Sequence, residues 1–332
     1  MTDLGTGMKR ADVWLMAKIC HLYYRKQLNQ TEIGKRLGIS RFRVSRILKK
    51  ALDTGMVRIE IVEPQPYLTS LEMEFEERFG LKSVILIENQ DAQLSDQELK
   101  KRVGQAAADY LLETLVDSDV LGIGWGTTTN EVVNALPVKI DQTVEVIQIT
   151  GGNKSLSVGI DCQELTRRLA SKFKVEPHLL HAPAVVDRKE TRNMLLQESS
   201  IKETFDCFRN LTVTVVGIGS IFPEIASTLL ASGYLDSKEL QILRNKGAVG
   251  DAFSYFFDIE GHVCKTKLQE RFITIPLEDV KRASRSIGVA TGKKKAHAIL
   301  GAIRGGFINT LVTDSSTAKE ILVLEGSGES RL

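Results

Sequence analysis

The sequence predicts an α/β protein in which an amino-terminal winged helix-turn-helix domain precedes a larger α/β domain with a Rossmann-like parallel sheet. Three observations lead to this fold class. Apolar residues recur at helical spacing near the amino terminus, Pro64 and Pro66 then interrupt the chain, and short apolar strands alternate with amphipathic helices beyond them. Strands that alternate with helices indicate a parallel sheet covered on both faces. A chain of 332 residues is also long enough for two domains.

The bulk composition limits the class of protein. Hydrophobic residues make up 42% of the chain and charged residues 26%, which is typical of a soluble globular protein with a large core. No apolar stretch approaches the roughly 20 residues that span a bilayer, and the amino terminus lacks the layout of a secretory signal. The cysteines and histidines are scattered, without the spacing of a zinc site or a disulfide framework. We therefore expect a cytoplasmic protein with reduced thiols, no metal and no cofactor.

The stretch Gln30–Leu48 predicts two short helices joined by a tight turn. Thr31 and Ser40 are each placed to cap a helix with a side-chain oxygen. Gly38 stands where the first helix must end, because glycine enters the left-handed conformation without a steric penalty. Four apolar residues of the second helix recur at i, i+3, i+4 and i+7, so one side of this helix should pack inward. They are Val44, Ile47, Leu48 and Ala51.

The other side of the second helix is cationic, which is typical of a recognition helix that enters the DNA major groove. Residues 1–60 hold thirteen Lys and Arg against five Asp and Glu, a net charge of +8, whereas the rest of the chain has a net charge of −6. This asymmetry favours a DNA binder over the alternative, an ordinary helix pair with a solvated cationic face. The residues predicted to read base edges are Phe42, Arg43, Ser45 and Arg46. Those predicted to contact phosphates are Arg41, Lys49, Lys50 and Arg58, and Thr31 completes the predicted DNA-contacting set.

Flanking segments complete the predicted winged fold and set the domain limits. Asp12 to about Gln27 has the pattern of a preceding helix, with Trp14 among its inward-facing residues. From Val57 to Val62 the chain alternates apolar and charged residues like a half-buried strand. Apolar residues at helical spacing after Pro66 predict a connecting helix. We expect a DNA-binding domain at residues 1–63, a linker and connecting helix at 64–82, and an effector-binding and oligomerisation domain at 83–325.

The larger domain shows the alternating pattern of a doubly covered parallel sheet. The predicted strands are Ser83–Ile87, Val120–Gly124, Val144–Thr150, Leu211–Val216 and Thr310–Thr313. The predicted helices include Lys100–Leu115, Cys162–Lys172 and Lys294–Arg304. In an open parallel sheet, ligands bind beyond the carboxyl ends of the strands. The loops at those ends are therefore the candidate binding segments.

The segment Val120–Asn130 is the most informative of these strand ends. Its strand ends in three glycines spaced by two, and three threonines then open a helix. Glycines let backbone N–H groups approach an anion, and the helix amino terminus adds about half a positive charge. We predict a phosphate at Gly126, Thr127 and Thr128, in preference to a glycine-rich turn that only packs tightly. The spacing matches neither a dinucleotide fingerprint nor a nucleoside-triphosphate loop.

Three further segments supply polar groups at candidate strand ends. Gly152 and Asn153 follow an apolar strand, where a plain turn is an equally good interpretation. Asp251 follows a glycine-rich approach and could accept hydrogen bonds from sugar hydroxyls or merely cap a turn. Lys293 and Lys294 stand at a helix start, where a bound anion would offset the unfavourable helix dipole, although a solvated lysine run is the alternative. Phosphate loop, carboxylate and lysines together indicate a phosphorylated sugar.

In this order, the motifs resemble the SorC/DeoR type of bacterial sugar-responsive transcriptional regulators over nearly the whole chain. The segments that carry the resemblance are the helix-turn-helix run, Gly122–Thr129, Ala182–Ala184, Gly247–Asp251, Ala290–Ala296 and Leu311–Asp314. The resemblance implies that the larger domain is similar in fold to sugar-phosphate isomerases and glucosamine-phosphate deaminases. It also implies assembly as dimers and tetramers on operator DNA.

The resemblance also implies roles for individual residues. Gly126, Thr127 and Thr128 would hold the phosphate, Asp251 would contact the sugar, and Lys295 would lie on the phosphate side. One departure concerns the lysine loop, since Thr291-Gly292 stands where the family commonly has two glycines. The additional methyl and hydroxyl narrow the approach to Lys295.

The sequence thus predicts a regulator of a carbohydrate-utilisation operon whose operator binding is controlled by a phosphorylated sugar, working as a dimer or homotetramer away from membranes. The alternative is an active sugar-phosphate isomerase or deaminase with an appended DNA-binding head. Such chemistry needs a poised general base. Asp251 has no obvious partner, because only His181 adjoins a candidate strand end. We therefore expect no catalytic residues.

Overall fold

The computed structural model describes residues 10–59, 68–89, 94–152, 160–231 and 233–327. Contacts between Cα atoms divide the chain into two compact units, Met1–Glu63 and Pro64–Leu332. No helix within the described ranges is long and apolar enough to cross a membrane.

In the described part of the amino-terminal unit, three helices surround a small apolar core. The elements are α1 (Arg10–Cys20), a π-helical turn (His21–Arg25), α2 (Gln30–Leu37) and α3 (Arg41–Asp53). Ile19, Ile33 and Val44, one from each helix, are completely buried against one another. Leu48 and Ala51 bury the inner side of α3, as the apolar spacing predicts. Helices α2 and α3 therefore form the predicted helix-turn-helix.

The turn between α2 and α3 depends on two glycines. Gly38 ends α2 with φ +67°, in the left-handed region that the sequence predicts for it. Gly34 packs so closely on the turn that a Cβ atom there would lie 2.7 Å from the carbonyl oxygen of Ile39. Ser40 then caps α3, because its hydroxyl oxygen accepts a hydrogen bond from the Arg43 N–H at 3.2 Å. These contacts fix the angle at which α3 leaves the turn.

The cap of α2 differs from the prediction. Asn29, not Thr31, is the capping residue: its side-chain oxygen accepts hydrogen bonds from the N–H groups of Thr31 and Glu32, each at 3.0 Å. The Glu32 carboxylate accepts in turn from the Asn29 N–H at 2.8 Å. This reciprocal capping box starts the helix two residues earlier than a Thr31 cap would. Thr31 consequently lies in the first turn of α2, where its side chain is exposed.

Two other expectations for this unit are corrected. Trp14 is 62% exposed rather than inward-facing, because it lies about 200° around α1 from the buried Met16. Lys18 lies over the Trp14 ring, 4.6 Å from its centre. The strand predicted from Val57 is not formed over Val57–Ile59, since the Val57 N–H donates to the Ala51 carbonyl at the end of α3. The rest of the predicted wing, residues 60–62, lies outside the described residues.

The second unit alternates strands and helices through most of its described length. The strands are β1 (Ser83–Ile87), β2 (Val120–Ile123), β3 (Glu145–Gln148), β4 (Val213–Gly217), β5 (Gly219–Ser220), β6 (Ala248–Ala252), β7 (Tyr255–Asp258), β8 (Arg285–Val289) and β9 (Thr310–Asp314). The helices are α4 (Thr69–Phe79), α5 (Asp96–Thr114), α6 (Thr127–Ala135), α7 (Cys162–Phe173), α8 (Lys189–Leu195), α9 (Ser199–Cys207), α10 (Thr228–Ala231), α11 (Ser237–Asn245), α12 (Leu277–Arg282), α13 (Ala296–Arg304) and α14 (Ser315–Ser327). Single 3-10 turns occur at Phe208–Asn210, Gln269–Arg271 and Lys293–Lys295.

Six strands form the parallel sheet that the sequence predicts, in the order β1-β9-β8-β4-β2-β3. After β2 the chain continues to β3 on one side, and after β4 it continues to β8 on the other. The neighbouring strands β2 and β4, which pair Ile123 with Val215, therefore mark a topological switch point. In open α/β sheets, ligands bind in the crevice that such a switch point opens.

Both faces of the sheet are covered by helices. Alternate strand residues point to opposite faces, so Val120 belongs to one apolar core while Leu121 and Ile123 belong to the other. The core around Leu121 is completed by α5, α6 and α7. The core around Val120 is completed by α4, α9, α13 and α14. The described strands and helices thus form the expected three-layer α/β arrangement.

A second sheet, which the sequence did not indicate, consists of the antiparallel strands β5, β6 and β7. Asp251 lies within β6 and is paired with Gly219 of β5, instead of following a strand of the parallel sheet as predicted. The β6–β7 hairpin turns at Phe253 and Ser254, which have φ values of +52° and +64°. Glycine or asparagine usually occupies such left-handed turn positions. This small sheet brings segments that are distant in sequence to the carboxyl edge of the main sheet.

Candidate functional site

A cavity opens at the carboxyl ends of β2 and β4, at the switch point of the parallel sheet. The loop after β2, the segment between β4 and β5, and the turn of the β6–β7 hairpin line it, together with a lysine that follows β8. Five of the predicted effector-binding residues line this one cavity. They are Gly126, Thr127, Thr128, Asp251 and Lys295.

One wall of the cavity is the amino terminus of α6. Gly126 precedes the helix and offers no side chain to cap it, so the first N–H groups of α6 have no intrahelical acceptor. The hydroxyl of Thr129 donates to the Gly126 carbonyl at 3.0 Å and is therefore occupied within the loop. Thr127 and Thr128 remain as lining residues. Orphan N–H donors and a positive helix end are the features that bind an anion.

The carboxylate of Asp251 faces the same cavity from β6. Its Oδ1 atom is buried and has no hydrogen-bond partner among the described residues. Burial raises the pKa of Asp251 to about 6, against the hydrogen bond from Ser227 and the charge of Lys295, which both favour the ionised form. The absence of a side chain at Gly219 leaves room for this carboxylate, since a Cβ atom there would lie 2.1 Å from Oδ1. The site therefore holds an acceptor that lacks a donor.

Lys295 approaches the cavity from the segment after β8. Its ammonium group donates a hydrogen bond to the Ile218 carbonyl at 2.6 Å. Burial lowers the pKa of Lys295 to about 8, and the charge of Lys100 lowers it further, while Asp251 opposes the shift. Since a buried ammonium is costly without a nearby anion, the lysine is placed to gain from one.

The loop that carries Lys295 is anchored by Asp314 at the end of β9. Asp314 Oδ2 accepts a hydrogen bond from the Gly292 N–H at 3.0 Å, and Oδ1 accepts from the Thr317 N–H at 3.0 Å. Burial opposes ionisation, but hydrogen bonds from Ser316, Thr317 and Gly292 lower the pKa of Asp314, so the anchor is a carboxylate. Gly292 has φ +95° and needs to be glycine.

Thr291, which departs from the common family pattern, is buried next to this anchor. Its backbone does not adopt a left-handed conformation, so the position does not require glycine. Its hydroxyl has no hydrogen-bond partner within the described part of the chain. The loop thus accommodates the additional side chain at this position.

Several lining residues of the cavity escape prediction from sequence. Trp125, Thr150, Gly219 and Ser254 all contribute to its walls. Trp125 lies within Gly122–Thr129 and Thr150 ends a predicted strand, so a strand-end signal exists for both. Gly219 and Ser254 come from the antiparallel sheet, and their proximity depends on strand pairing that no local pattern reveals.

The structure does not bring Gly152 into the cavity. Its N–H donates to the Ala182 carbonyl at 2.8 Å, and its carbonyl accepts from the Ala184 N–H at 2.7 Å. Both backbone groups are thus satisfied within the protein, which favours the plain turn over a ligand contact, the two interpretations that the sequence left open. Asn153 lies outside the described residues.

The predicted DNA-contacting face lies on α3 in the amino-terminal unit. Phe42 is 86% exposed, and the neighbouring polar and cationic side chains are exposed as well. These are Arg41, Arg43, Ser45, Arg46, Lys49 and Lys50. Arg58 is exposed beyond the end of α3, in a segment without regular structure. The helix therefore has a buried apolar side and an accessible cationic side, the form of a recognition helix.

A helix-turn-helix with an exposed cationic face, joined in one chain to an α/β unit with a cavity at the switch point of its sheet, defines the class of ligand-responsive DNA-binding regulators. Known proteins agree with this class. Residues 64–323 match the family described as "Putative sugar-binding domain", and residues 16–54 match "Sigma-70, region 4".

Individual relatives match almost the full chain. The sorbitol operon regulator of Klebsiella pneumoniae is 33% identical over 313 residues, which cover 94% of this chain and 98% of that protein. The deoxyribonucleoside regulator of Bacillus subtilis (strain 168) is 30% identical over 315 residues, covering 95% and 99%. The crystal structure of full-length SorC from Klebsiella pneumoniae superposes with a TM-score of 0.73 at 32% identity, covering 94% of this chain and 99% of that one. The chain belongs to the SorC/DeoR family of sugar-binding transcriptional regulators.

Proposed function

We propose that a phosphorylated sugar binds the switch-point cavity and thereby controls the affinity of this regulator for the operator of a carbohydrate-utilisation operon. The relatives named for sorbitol and deoxyribonucleoside regulation support a carbohydrate signal. The observation that carries the proposal is the juxtaposition of an uncapped helix amino terminus with the unpartnered Asp251 carboxylate oxygen in one cavity. The helix amino terminus suits a phosphate, and the carboxylate oxygen suits a sugar hydroxyl.

The ligand contacts follow from the donors and acceptors on the cavity wall. The phosphate accepts hydrogen bonds from the first N–H groups of α6 and from the hydroxyls of Thr127 and Thr128. Lys295 supplies the opposing charge. A sugar hydroxyl donates to Asp251 Oδ1, which removes the cost of a buried acceptor without a donor.

On the DNA side, the exposed face of α3 enters the major groove. Phe42, Arg43, Ser45 and Arg46 read base edges, while other cationic residues position the helix on the phosphates. The positioning residues are Arg41, Lys49, Lys50 and Arg58, with Thr31 at the start of α2. One recognition helix reads only a few base pairs, so the regulator acts as a cytoplasmic dimer or tetramer on paired half-sites.

Thermal-shift screening of the full chain tests the effector class directly. Sugar phosphates are compared with the same sugars without phosphate, because a ligand at 100 times its Kd stabilises the native state by about 2.7 kcal/mol. We expect a shift with at least one phosphorylated sugar and none with its parent sugar. Asp251→Asn should reduce that shift, and Glu88→Gln, outside the cavity lining, should leave it intact. Stabilisation by parent sugars alone would contradict the phosphate assignment.

The cavity binds its ligand without converting it. The feature that favours the alternative, a sugar-phosphate isomerase or deaminase, is the pairing of a carboxyl group of raised pKa with a lysine of lowered pKa, Asp251 with Lys295. His181, the other candidate base, is exposed and does not line the cavity. Incubation with each stabilising sugar phosphate, followed by product analysis, should show no turnover, and formation of an isomer or of ammonia would support the enzyme.

A further inference from the structure

A second cavity adjoins the proposed effector site on its outer side. It has a volume of about 430 Å³ and shares Thr127, Ala226 and Lys295 with the first cavity. The shared residues place the two cavities next to each other at the amino terminus of α6. A group of a ligand held in the first cavity is therefore close to the lining of the second.

Three lysines line this second cavity, from two different elements. Lys100 comes from α5, and Lys294 and Lys295 come from the turn before α13. Lys100 and Lys294 both act electrostatically on Lys295, and each lowers its pKa. Lys295 is thus repelled by both of the other ammonium groups, and an anion among the three lysines would relieve that repulsion.

The carboxylates of the cavity offset only part of this charge. Asp96 accepts a hydrogen bond from Lys100 at 2.6 Å, and its charge also acts on Lys294 and Lys295. Asp236 caps α11 and accepts from the Glu239 N–H at 2.7 Å. Among the ion pairs of the described residues, none involves Lys294, which is exposed to the cavity mouth. The positive charge of Lys294 therefore remains available to a ligand.

We propose that this second cavity binds a second anionic group of the effector, so that the effector is a phosphorylated sugar carrying either another phosphate or a carboxylate. The inference rests on the proposed function, because the first phosphate is taken to lie at Gly126–Thr128. Lys100 and Lys294 then distinguish a doubly anionic effector from a simple sugar monophosphate. Phosphate and carboxylate share the chemistry that the lysines recognise, and the ligands chosen for the test separate them.

The test is calorimetric titration of the full chain with matched ligand pairs. Fructose 6-phosphate is compared with fructose 1,6-bisphosphate, and glucitol 6-phosphate with 6-phosphogluconate, because the members of each pair share their cyclic or open-chain form and differ in the second anionic group. We expect at least one doubly anionic ligand to bind about tenfold or more tightly than its partner, the effect of one additional charge-assisted contact. The pair that shows the preference identifies the second group as phosphate or carboxylate.

Two double variants test whether Lys100 and Lys294 cause the preference for the doubly anionic ligand. Lys100→Gln combined with Lys294→Gln should reduce the affinity ratio within the preferred pair to less than about twofold. The matched control combines Lys101→Gln with Lys293→Gln, which removes the same charge from adjacent positions outside the cavity lining and should leave the ratio unchanged.

Two results would overturn the inference: equal binding within both pairs, or a preference that persists in the variant lacking Lys100 and Lys294. In either case, tight binding of monophosphates would leave the proposed function standing. If no phosphorylated sugar binds at all, both the proposed function and this inference fail.

Discussion

Gly219 and Asp251 face each other across the β5–β6 pair so closely that any side chain at position 219 would displace the carboxylate. A Cβ atom at Gly219 would lie 2.1 Å from Asp251 Oδ1 and 2.8 Å from the Ser227 hydroxyl oxygen. The glycine is required by close approach and not by its backbone angles, since its φ is not in the left-handed region. The position of this carboxylate thus depends on a residue that has no side chain.

Substitution of this glycine should act on effector binding through Asp251. Gly219→Ala is expected to lower the affinity for the effector by about 10- to 100-fold, the cost of losing a hydrogen bond to a charged group. Calorimetry should give a similar loss for Asp251→Asn, and the double variant should be little worse than either single one. Additive losses would show that Gly219 acts elsewhere in the site.

Ser254 offers a test of whether strain is retained for binding. Its φ of +64° suits glycine, so Ser254→Gly should raise the Tm by about 2–4 °C, corresponding to about 1 kcal/mol. Because Ser254 lines the cavity, the same change should lower the affinity for the effector by about tenfold. Ser118, with φ +72°, is exposed and does not line the cavity, so Ser118→Gly should raise the Tm without changing effector affinity. Unchanged effector binding in Ser254→Gly would remove Ser254 from the site.

Effector binding should weaken at alkaline pH. Burial lowers the pKa of Lys295 to about 8, so the free protein loses this positive charge as the pH rises through that value. The phosphate is already doubly ionised there, because its second pKa is near 6. Calorimetry between pH 7 and 9.5 should show the affinity falling above pH 8, with proton uptake on binding. Lys295→Arg, which keeps its charge, should abolish the fall, and an identical fall in that variant would exclude Lys295 as its cause.

The lowered pKa of Lys295 also determines how the stability of the ligand-free protein changes with pH. A lysine whose pKa is lower in the folded than in the unfolded state destabilises the folded state while it is protonated. Lys295 is protonated in the folded state below about pH 8, so its full cost to the free energy of folding is present there. It is lost progressively as the pH rises from about 8 towards the unfolded value of 10.5. Relative to Lys295→Met, the wild-type chain should therefore gain stability over this window in urea unfolding experiments. A constant difference across the window would show that the lysine titrates normally.

The exposed face of α3 should separate base reading from phosphate binding. Arg46→Ala is expected to reduce the preference for operator over random DNA, by about 1–3 kcal/mol at the affected base pair. Lys50→Ala should weaken both DNAs alike and reduce the salt slope by about 0.9 log units per log unit of salt. Fluorescence anisotropy at several salt concentrations measures both effects. A uniform loss in Arg46→Ala would move this residue to the phosphate-contacting group.

Local sequence patterns were sufficient where the structure is local. The turn around Gly38, the inner side of α3 and the glycine–threonine loop at Gly126 all follow from spacing, capping and glycine conformation. The parallel sheet follows from strands that alternate with helices. Asp251 could be selected because a glycine-rich segment precedes it, although it was expected at the end of a strand and not within one, and Lys295 was indicated by the family resemblance.

Features that depend on tertiary pairing could not be predicted. The sheet of β5, β6 and β7 joins short segments whose pairing has no local signature, and its hairpin turn contains Phe253-Ser254 instead of a glycine or asparagine. Gly219 therefore carried no signal. Trp14 was misplaced because helical spacing gives the period of an apolar stripe but not its phase, which the buried Met16 and Ile19 decide. Thr31 lost its capping role to Asn29, an equally good cap two residues earlier.

Control of operator binding by a sugar phosphate can be measured by titrating operator DNA with the full chain in the presence and absence of the sugar phosphate that gives the largest thermal shift. We expect the ligand to change operator affinity by about 5- to 150-fold, the usual range of allosteric coupling. This change should disappear in Asp251→Asn, while the variant still binds operator. An operator affinity that is the same with and without a bound sugar phosphate would show that the cavity does not control DNA binding.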